Sequence, residues 1–383
     1  MKINFSEEEY YLFGITQWGI KLCYDFLSKG KKVTFIDNDV RKQNKEVIPG
    51  VKCIALNDID SDGVCIVCVQ KKENRESICK QLEESIITQI ICVDNEFMLN
   101  YEKKIKDDIF LKALWFFKMG YELDLDNPKT FCEKIQWLKL NDRKHEYTKL
   151  VDKEKVKEFV GKKIGNEYII PTIQVWDSID KIDFDKLPDS FVIKCTHDSG
   201  STILVTNKES MDKKNVICKL KKAFETNFYW WAREWAYKNV KPQIIVEPYL
   251  VNDTKESNTG LIDYKIHTFN GKAKFIQVIL NRNVKEHTAE QVFYNLEWKK
   301  LSWVFEDYPL YNGEVKKPDC LDLLINFADL LSEGMRYARI DFYIVKGKIK
   351  FGEITLYPNA GLYVFRKSWT YDQDLLLGNM IQL

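Results

Sequence analysis

The pattern of apolar residues changes along this chain of 383 residues, and the change limits the folds open to it. In the first hundred residues short apolar segments alternate with helical ones, as in a parallel sheet covered by helices. The predicted strands there lie at 10–13, 32–36, 64–69 and 90–93, and the predicted helices at 20–28 and 72–84. From Tyr147 onwards longer strands joined by sharp turns replace this alternation. The sequence therefore predicts an α/β domain followed by an α+β domain.

The length suits two domains, at roughly 100–200 residues each. We place the first at 1–98, a helical connection at 99–150 and the second at 151–383. Its predicted strands lie at 168–171, 190–194, 202–205, 243–247, 263–269, 273–280, 338–345 and 348–355, and its main helices at 213–235 and 321–336. Asn270 with Gly271, and Lys346 with Gly347, separate neighbouring strands and predict β-hairpins.

Charge and composition argue against several classes of partner. Lys and Arg total 58 against 57 Asp and Glu, so there is no basic excess to neutralise a nucleic acid. The longest apolar run, 64–69, is far shorter than the ~20 residues of a membrane helix, and acidic residues stand where a signal peptide would be apolar. We expect a cytoplasmic protein that acts on small molecules and has reduced cysteines. Cys65 and Cys68 lie inside that run, which favours core packing over a zinc or redox site.

Two glycines follow the first predicted strand, where a doubly wound sheet turns into its first helix. Gly14 and Gly19 are followed by Asp37 at the end of the second strand, near where a ribose-binding carboxylate lies in dinucleotide-binding domains. The spacing differs from the usual motif, and Trp18 would crowd a pyrophosphate. Two interpretations stay open: an altered nucleotide site, or a tight turn with Asp37 as a strand cap. The module resembles the small Rossmann-like modules attached to sugar-modifying enzymes.

Two acidic residues stand on neighbouring predicted strands near the C-terminus. Asp341 and Glu353 can project from one face of a hairpin, where they would repel each other without a cation. Oxygen ligands that leave room for waters and phosphates are typical of Mg²⁺. Arg339 shares the side of Asp341 on its strand and would contact an anionic substrate or a developing oxyanion. The simpler alternative is a solvated hairpin with alternating charges.

Three further segments place polar residues at strand ends. Lys194 closes an apolar strand before the loop 197–201, whose amides near Gly200 suit phosphate oxygens. The segment 247–250 reads Glu-Pro-Tyr-Leu and predicts a hinge whose backbone would pair with a purine edge. Asp263 and Lys265 open the strand that precedes the Asn-Gly turn.

The order of these segments resembles that of the ATP-grasp ligases, and specifically the TupA-like branch found among capsule and polysaccharide genes. The resemblance runs from about Pro128 to the C-terminus and includes the segments 149–156 and 233–235. It implies an α+β ATP-grasp fold with two subdomains that clasp ATP, behind an α/β Rossmann-like domain. It also implies ATP and Mg²⁺ as cofactors.

The resemblance implies a role for each matching residue. The residues that would bind ATP are Lys153, Lys194, Ser199, Gly200, Ser201, Glu247, Tyr249, Leu250 and Asp263. The residues that would hold the metal are Asp341, Glu353, Thr355 and Asn359, with Thr355 at a position where many ATP-grasp enzymes have Asn. The catalytic residues would be Arg339 at the acyl-phosphate, Lys265 at a phosphate and His197 in the closing loop.

The predicted function is an ADP-forming carboxylate–amine ligase that acts on a uronic acid sugar in capsular or surface polysaccharide biosynthesis. The alternative is a glycosyltransferase, since Asp37, Asn38 and Asp39 superficially resemble a DxD metal motif. A third possibility, a nucleotide sensor without activity, is disfavoured by the paired Asp341 and Glu353. The aromatic segment 228–235 is predicted to be mostly core, with one or two rings stacking on sugar. The oligomeric state is left open.

Overall fold

The structure of the protein is a computed structural model that describes residues 5–251, 261–283, 286, 288–302, 308–364 and 369–383. The chain divides into two compact units, Met1–Leu123 and Asp124–Leu383. Within the described ranges, no helix is both long enough and apolar enough to span a bilayer.

The first unit contains a six-stranded sheet in the order β3-β4-β2-β1-β5-β6. Its strands are β1 (Glu9–Phe13), β2 (Lys32–Ile36), β3 (Lys45–Ile48), β4 (Val51–Ile54), β5 (Val64–Val67) and β6 (Gln89–Cys92). Its helices are α1 (Gln17–Ser28), α2 (Lys72–Glu83), α3 (Asn95–Glu102) and α4 (Asp107–Met119), with a 3-10 helix at Leu56–Asp58. All neighbouring strands are parallel except β3 and β4, which form a hairpin that the sequence did not predict. The predicted Rossmann-like sheet is confirmed.

The turn between β1 and α1 is held by contacts within the chain. A Cβ atom on Gly19 would lie 2.5 Å from the carbonyl oxygen of Gly14, so only glycine fits this close approach. Asp37 accepts a hydrogen bond from the Ile15 amide (3.3 Å) and pairs with Lys42 (2.8 Å). Because the carboxylate is already engaged, these contacts favour the tight turn over a nucleotide site.

The cysteines of the first unit correct one expectation. Cys79 on α2 and Cys92 on β6 form a disulfide, so the prediction of reduced thiols is wrong for this pair. The packing of α2 against β6 brings the two side chains together, which the sequence does not show. The eight other cysteines are free, and Cys65 and Cys68 are fully buried in the core, as predicted.

The second unit contains two antiparallel sheets, one of four strands (β7-β10-β8-β9) and one of five (β13-β12-β11-β14-β15). The first is formed by β7 (Gln174–Trp176), β8 (Phe191–Cys195), β9 (Ile203–Val205) and β10 (Ile244–Pro248). The second is formed by β11 (Asp263–Phe269), β12 (Lys272–Asn283), β13 (Thr288–Asn295), β14 (Tyr337–Val345) and β15 (Lys348–Thr355). The helices are α5 (Phe131–Asn141), α6 (Tyr147–Leu150), α7 (Val156–Ile164), α8 (Lys213–Phe224), α9 (Tyr229–Ala232), α10 (Leu321–Leu331) and α11 (Tyr371–Gly378). Short 3-10 helices lie at Asn166–Tyr168, Ile179–Lys181, Phe184–Lys186, Trp235–Tyr237 and Pro358–Gly361.

Strand periodicity decides which side chains of the second unit face its cores. On β8, Phe191, Ile193 and Cys195 pack into the core with Leu220 of α8, so Lys194 points to the other face of the sheet. Both predicted hairpins form, with left-handed backbone at each Asn-Gly or Lys-Gly turn.

Two predicted elements of this unit are wrong. The segment 168–171 is not a strand, because a 3-10 helix at Asn166–Tyr168 leads into irregular chain. The helix expected over 213–235 is interrupted: α8 ends at Phe224, and α9 ends at Ala232, before Arg233, whose backbone is left-handed with φ 56°. This break separates Arg233 and the residues after it from α8.

Candidate active site

Charged side chains from three neighbouring strands share one face of the five-stranded sheet. Lys265 on β11 lies directly opposite Asp341 on β14, and Asp341 lies opposite Glu353 on β15. Side chains directly opposite each other in an antiparallel pair are close enough to interact. The structure therefore brings together the two carboxylates predicted from the sequence.

A β-bulge produces this alignment. The register between β14 and β15 shifts between Asp341 and Phe342, so that Glu353 rather than Gly352 faces Asp341. A Cβ atom on Gly352 would lie 3.0 Å from the carbonyl oxygen of Asp341, which explains a glycine at the bulge. Bulges of this kind redirect side chains next to active sites.

Arg339 connects the members of this cluster. Its Nε and Nη2 atoms donate to the two carboxylate oxygens of Asp341, at 2.7 and 2.8 Å. Nη2 also donates to Glu353 Oε1 at 2.9 Å and to Thr355 Oγ1 at 3.0 Å. The Thr355 hydroxyl donates in turn to Glu353 (3.0 Å). Two parallel bonds from a guanidinium to a carboxylate fix both groups in orientation.

The electrostatics keep Asp341 ionised. Asp341 is only 2% exposed, and Lys265 Nζ contacts its Oδ2 atom in addition to the bonds from Arg339. Burial alone would raise the pKa of Asp341, but the charges of Arg339 and Lys265 outweigh it and hold this pKa well below its usual value. The cluster thus balances two carboxylates with two cations.

The donor set suits Mg²⁺ that arrives with a nucleotide. Among the residues that the structure describes, no group of three or more His, Cys, Asp or Glu is placed to hold a metal ion. Asp341, Glu353 and the Thr355 hydroxyl offer oxygen ligands but leave most coordination positions to phosphates and water, as Mg²⁺ requires. Asn359 is exposed on the 3-10 helix Pro358–Gly361, and its amide donates weakly to the Leu362 carbonyl oxygen (3.4 Å). This contact directs the Asn359 side-chain amide toward the backbone of its own 3-10 helix.

A second cluster lies on the four-stranded sheet. Glu247 on β10 accepts ion pairs from Lys194 on β8 (2.7 Å) and Lys157 on α7 (2.6 Å). Burial of Glu247 opposes its ionisation, but the two lysine charges prevail and lower its pKa. The resemblance assigns Glu247 to the adenine hinge, whereas in the structure its carboxylate holds Lys194 and Lys157 in position. The next hinge residues along the chain, Tyr249 and Leu250, are partly buried.

Lys153 links the two clusters. Its ammonium contacts the Asp198 carbonyl oxygen and lies 3.7 Å from the Asp198 carboxylate. Burial lowers the pKa of Lys153; the charges of Asp198 and Glu353 act against this, and Lys194 acts with it. Lys153 is therefore within electrostatic range of both Lys194 on the four-stranded sheet and Glu353 on the five-stranded sheet.

The loop after β8 is closed by its own side chains. Ser201 donates to the Asp198 carboxylate (2.7 Å) and accepts from the Cys195 amide (2.8 Å). Gly200 has φ +105° with open space around it, and Ser199 is exposed beside it. These two residues form the open tip of the loop, where backbone amides can approach an anion.

His197 does not join the charged cluster. Its Nε2 lies 3.2 Å from the carbonyl oxygens of Ala223 and Thr226, so this nitrogen carries the proton and donates. Burial lowers the pKa of His197, which keeps the ring neutral, and the ring packs edge-on against Phe224. These contacts attach the loop to the end of α8.

Three residues that interact with the site residues were not singled out from the sequence: Arg282, Tyr343 and Lys157. Asp263 pairs with Arg282 (2.7 Å) and lies 3.8 Å from Lys265. Tyr343 lies two residues beyond Asp341, and the charge of Asp263, followed by burial, raises the pKa of its phenol well above the usual value. Alternation along β14 would have found Tyr343, whereas no comparable pattern points to Lys157, because α7 begins only at Val156.

Comparison with known proteins assigns the family. A family model described as TupA-like ATPgrasp matches residues 133–382. No curated protein sequence matches the chain.

Solved structures resemble the chain distantly. D-alanine–D-alanine ligase from Bacillus anthracis complexed with ATP shares 14% identity at a TM-score of 0.35, over 98% of this chain and 96% of that one. N5-carboxyaminoimidazole synthetase from Staphylococcus aureus complexed with ADP shares 12% at 0.33, over 100% and 79%. L-amino acid ligase from Bacillus licheniformis shares 12% at 0.33, over 91% and 68%. The family match, rather than these distant resemblances, confirms the predicted fold class and the ATP and Mg²⁺ of an ATP-grasp ligase: the chain belongs to the TupA-like ATP-grasp family.

Proposed function

We propose that this protein joins a uronic acid, carried by a sugar nucleotide or a glycan, to an amine during capsular or surface polysaccharide biosynthesis. In the first step a carboxylate oxygen of the acid attacks the γ-phosphorus of ATP, and the bond to ADP breaks. The product is an acyl-phosphate. In the second step the amine nitrogen attacks the acyl carbon, and inorganic phosphate leaves with the electrons of the broken bond.

The observation that carries this proposal is the position of Arg339. Its guanidinium bridges Asp341 and Glu353 on the same sheet face as Lys265. The bonds to Asp341 and Glu353 fix the orientation of this guanidinium, and a fixed positive charge suits an acyl-phosphate, whose charge it meets without reorganisation.

The other residues act on ATP. Lys153 and Lys194 would neutralise its phosphates, and the tip of the loop at Ser199 and Gly200 would cover them. Asp341 and Glu353, with Thr355, would hold Mg²⁺, which reduces the repulsion between the anionic acid and ATP.

The sugar part of the proposal rests on charge and on one aromatic ring. Arg339 and Lys265 favour an anionic substrate. Trp231, 57% exposed beside Phe228, offers an apolar face that suits the C–H surface of a sugar. Dependence on ATP places the enzyme in the cytoplasm in this proposal.

The glycosyltransferase alternative finds no support in the first unit. Asp37 pairs with Lys42, and Asp39 pairs with Arg41 (each 2.8 Å). The two carboxylates of the DxD-like segment are therefore neutralised by neighbouring side chains.

The test is an assay of ADP release with Mg²⁺·ATP. The acids are glucuronic and galacturonic acid and their UDP derivatives, and the amines are ammonia, ethanolamine, glycine and lysine. We expect ADP, phosphate and amide in equal amounts, and a hydroxamate when hydroxylamine replaces the amine. Sugar transfer without ATP that survives Lys194→Ala would overturn the proposal.

A further inference from the structure

A second pair of opposite charges lies buried in the second unit, outside the clusters described above. Lys139 on α5 is fully buried, and Glu234, two residues after the end of α9, is 5% exposed. The Lys139 ammonium donates to Gln136 Oε1 (2.9 Å) and to the carbonyl oxygens of Ala232 (3.0 Å) and Ala360 (2.7 Å). These three bonds use every proton of the ammonium, so Lys139 attracts Glu234 without donating a hydrogen bond to it.

The Glu234 carboxylate forms no hydrogen bond and no ion pair with the residues that the structure describes. Every other acidic residue named for the site has a cation beside it; these are Asp341, Glu353, Asp198, Asp263 and Glu247. Buried carboxylates are normally paired. Burial raises the pKa of Glu234, and the charge of Lys139 offsets this only in part. Glu234 is therefore the acidic group that is free to accept a proton.

The segment around Glu234 is fixed in place. Arg233 is fully buried in a left-handed conformation, and its guanidinium lies 4.8 Å from the centre of the Trp230 ring. The bond from Lys139 to Ala360 connects this segment to the turn that follows β15, the strand of Glu353 and Thr355. Hydrogen bonds through Lys139 thus connect the segment before Glu234 to the turn that follows the proposed metal ligands Glu353 and Thr355.

Two phenols connect Glu234 with the site. The pKa of Tyr237 is raised well above its usual value, first by burial and then by Glu234, Glu353 and Asp198, while Arg339 acts against them. The buried hydroxyl of Tyr357 finds no hydrogen-bond partner within the described residues, and burial followed by the charge of Glu234 raises its pKa. The Tyr237 phenol therefore interacts electrostatically with both Glu234 and the Arg339 cluster, and the titratable groups that interact with Glu234 in this way are Lys139, Tyr237 and Tyr357.

We propose that Glu234 is the general base that deprotonates the amine substrate before it attacks the acyl-phosphate. This inference rests on the proposed ligase function. An amine enters as an ammonium ion, which has no lone pair for attack. One N–H proton passes to the Glu234 carboxylate and then to solvent. The neutral nitrogen forms the C–N bond, the C–O bond to phosphate breaks, and a second amine proton leaves with the phosphate, giving an amide, HPO₄²⁻ and H⁺.

Hydroxylamine separates this role from a structural one, because it is uncharged at neutral pH and needs no base. In Glu234→Gln we expect hydroxamate formation from the acid that the wild type uses best to stay within about twofold of wild type. Amide formation with glycine or ethanolamine should fall about 100-fold or more at pH 7. It should recover as the pH approaches the pKa of the amine. Glu225→Gln, an exposed substitution directly after α8, is the matched control.

An equal loss of hydroxamate and amide in Glu234→Gln would overturn the proposal, as would an amide rate like that of wild type at pH 7. A second measurement needs no substrate. In protein labelled with ¹³C at the glutamate carboxyl carbons, the resonance missing from Glu234→Gln should titrate well above the ~4.3 of free glutamate. A midpoint at or below that value would reject Glu234 as the base. Absence of any hydroxamate from the wild type would reject the ligase function instead.

Discussion

Arg339 donates two parallel hydrogen bonds to Asp341, two residues further along the same strand, at 2.7 and 2.8 Å. With Lys265 in contact as well, the proposed metal ligand is already neutralised before any cation binds. A divalent ion added alone would leave the cluster with excess positive charge. The phosphates of ATP would remove that excess, so metal and nucleotide should bind together.

This balance predicts strong linkage between Mg²⁺ and ATP. Calorimetry with a non-hydrolysable ATP analogue should show at least ~10-fold tighter binding in Mg²⁺ than in EDTA, which corresponds to about 1.4 kcal/mol. In Glu353→Gln the difference should shrink, because one metal ligand is lost. Equal affinity in Mg²⁺ and EDTA would contradict the assignment of Asp341 and Glu353 to the metal.

Glu353→Gln should also abolish Mg²⁺-dependent ADP formation while the fold stays intact. The Glu353 side chain is 46% exposed, so the amide is accommodated without burying a new unpaired charge. Circular dichroism and the melting temperature would verify the fold, with the exposed Glu314→Gln as control. Asp341→Asn is a poorer test, since it removes the bidentate partner of the mostly buried Arg339 and should cost roughly 3–5 kcal/mol of stability. Normal turnover in Glu353→Gln would reject the metal site.

The shared carboxylate of Glu247 offers a matched pair of variants. Lys194 and Lys157 form ion pairs of 2.7 and 2.6 Å with it, and their side chains are 16% and 13% exposed. Only Lys194 is proposed to face phosphate. Lys194→Ala should therefore weaken ATP binding at least ~10-fold. Lys157→Ala should destabilise the fold about as much as Lys194→Ala does, but it should keep the ATP affinity within about threefold of wild type. Similar losses of affinity in both variants would show that Glu247, rather than phosphate contact, explains the effect.

Simple alternation along the strands predicts part of this site. It places Arg339, Asp341 and Tyr343 on one face of β14, as the structure does. The position of Glu353 depends on more than alternation. The tight turn at Lys346 and Gly347 would by itself set Gly352 opposite Asp341 and turn Glu353 to the other face. The bulge shifts the register by one residue, and Gly352 is the only feature of the sequence that indicates it.

Contacts between distant segments set the limit of prediction from sequence. Lys139 and Glu234 are far apart in the chain, and each alone looks like an ordinary charge on a helix. The break after α8 and the left-handed Arg233 bring Glu234 to the buried ammonium, and neither follows from local propensity. The disulfide between Cys79 and Cys92 and the pairing of Arg282 with Asp263 are missed for the same reason.

The raised pKa of Glu234 has a consequence for stability that is independent of catalysis. The unfolded chain ionises this carboxyl near pH 4.3, whereas the folded chain does so only at higher pH, because burial disfavours the charge. The contribution of Glu234 to stability is therefore fully present below the unfolded pKa and is lost as the pH rises through the folded pKa.

Glu234→Gln, which cannot ionise, should gain stability relative to wild type over that pH range. The gain should rise by at most about 1.4 kcal/mol per pH unit and become constant above the folded pKa. Urea unfolding of wild type and Glu234→Gln at a series of pH values would measure it, with the exposed Glu225→Gln as the control for loss of a carboxylate. If the difference in unfolding free energy between the two proteins did not change with pH, Glu234 would titrate like a free glutamate. If Glu234→Gln instead lost stability relative to wild type as the pH rises, attraction to Lys139 would outweigh the effect of burial on Glu234.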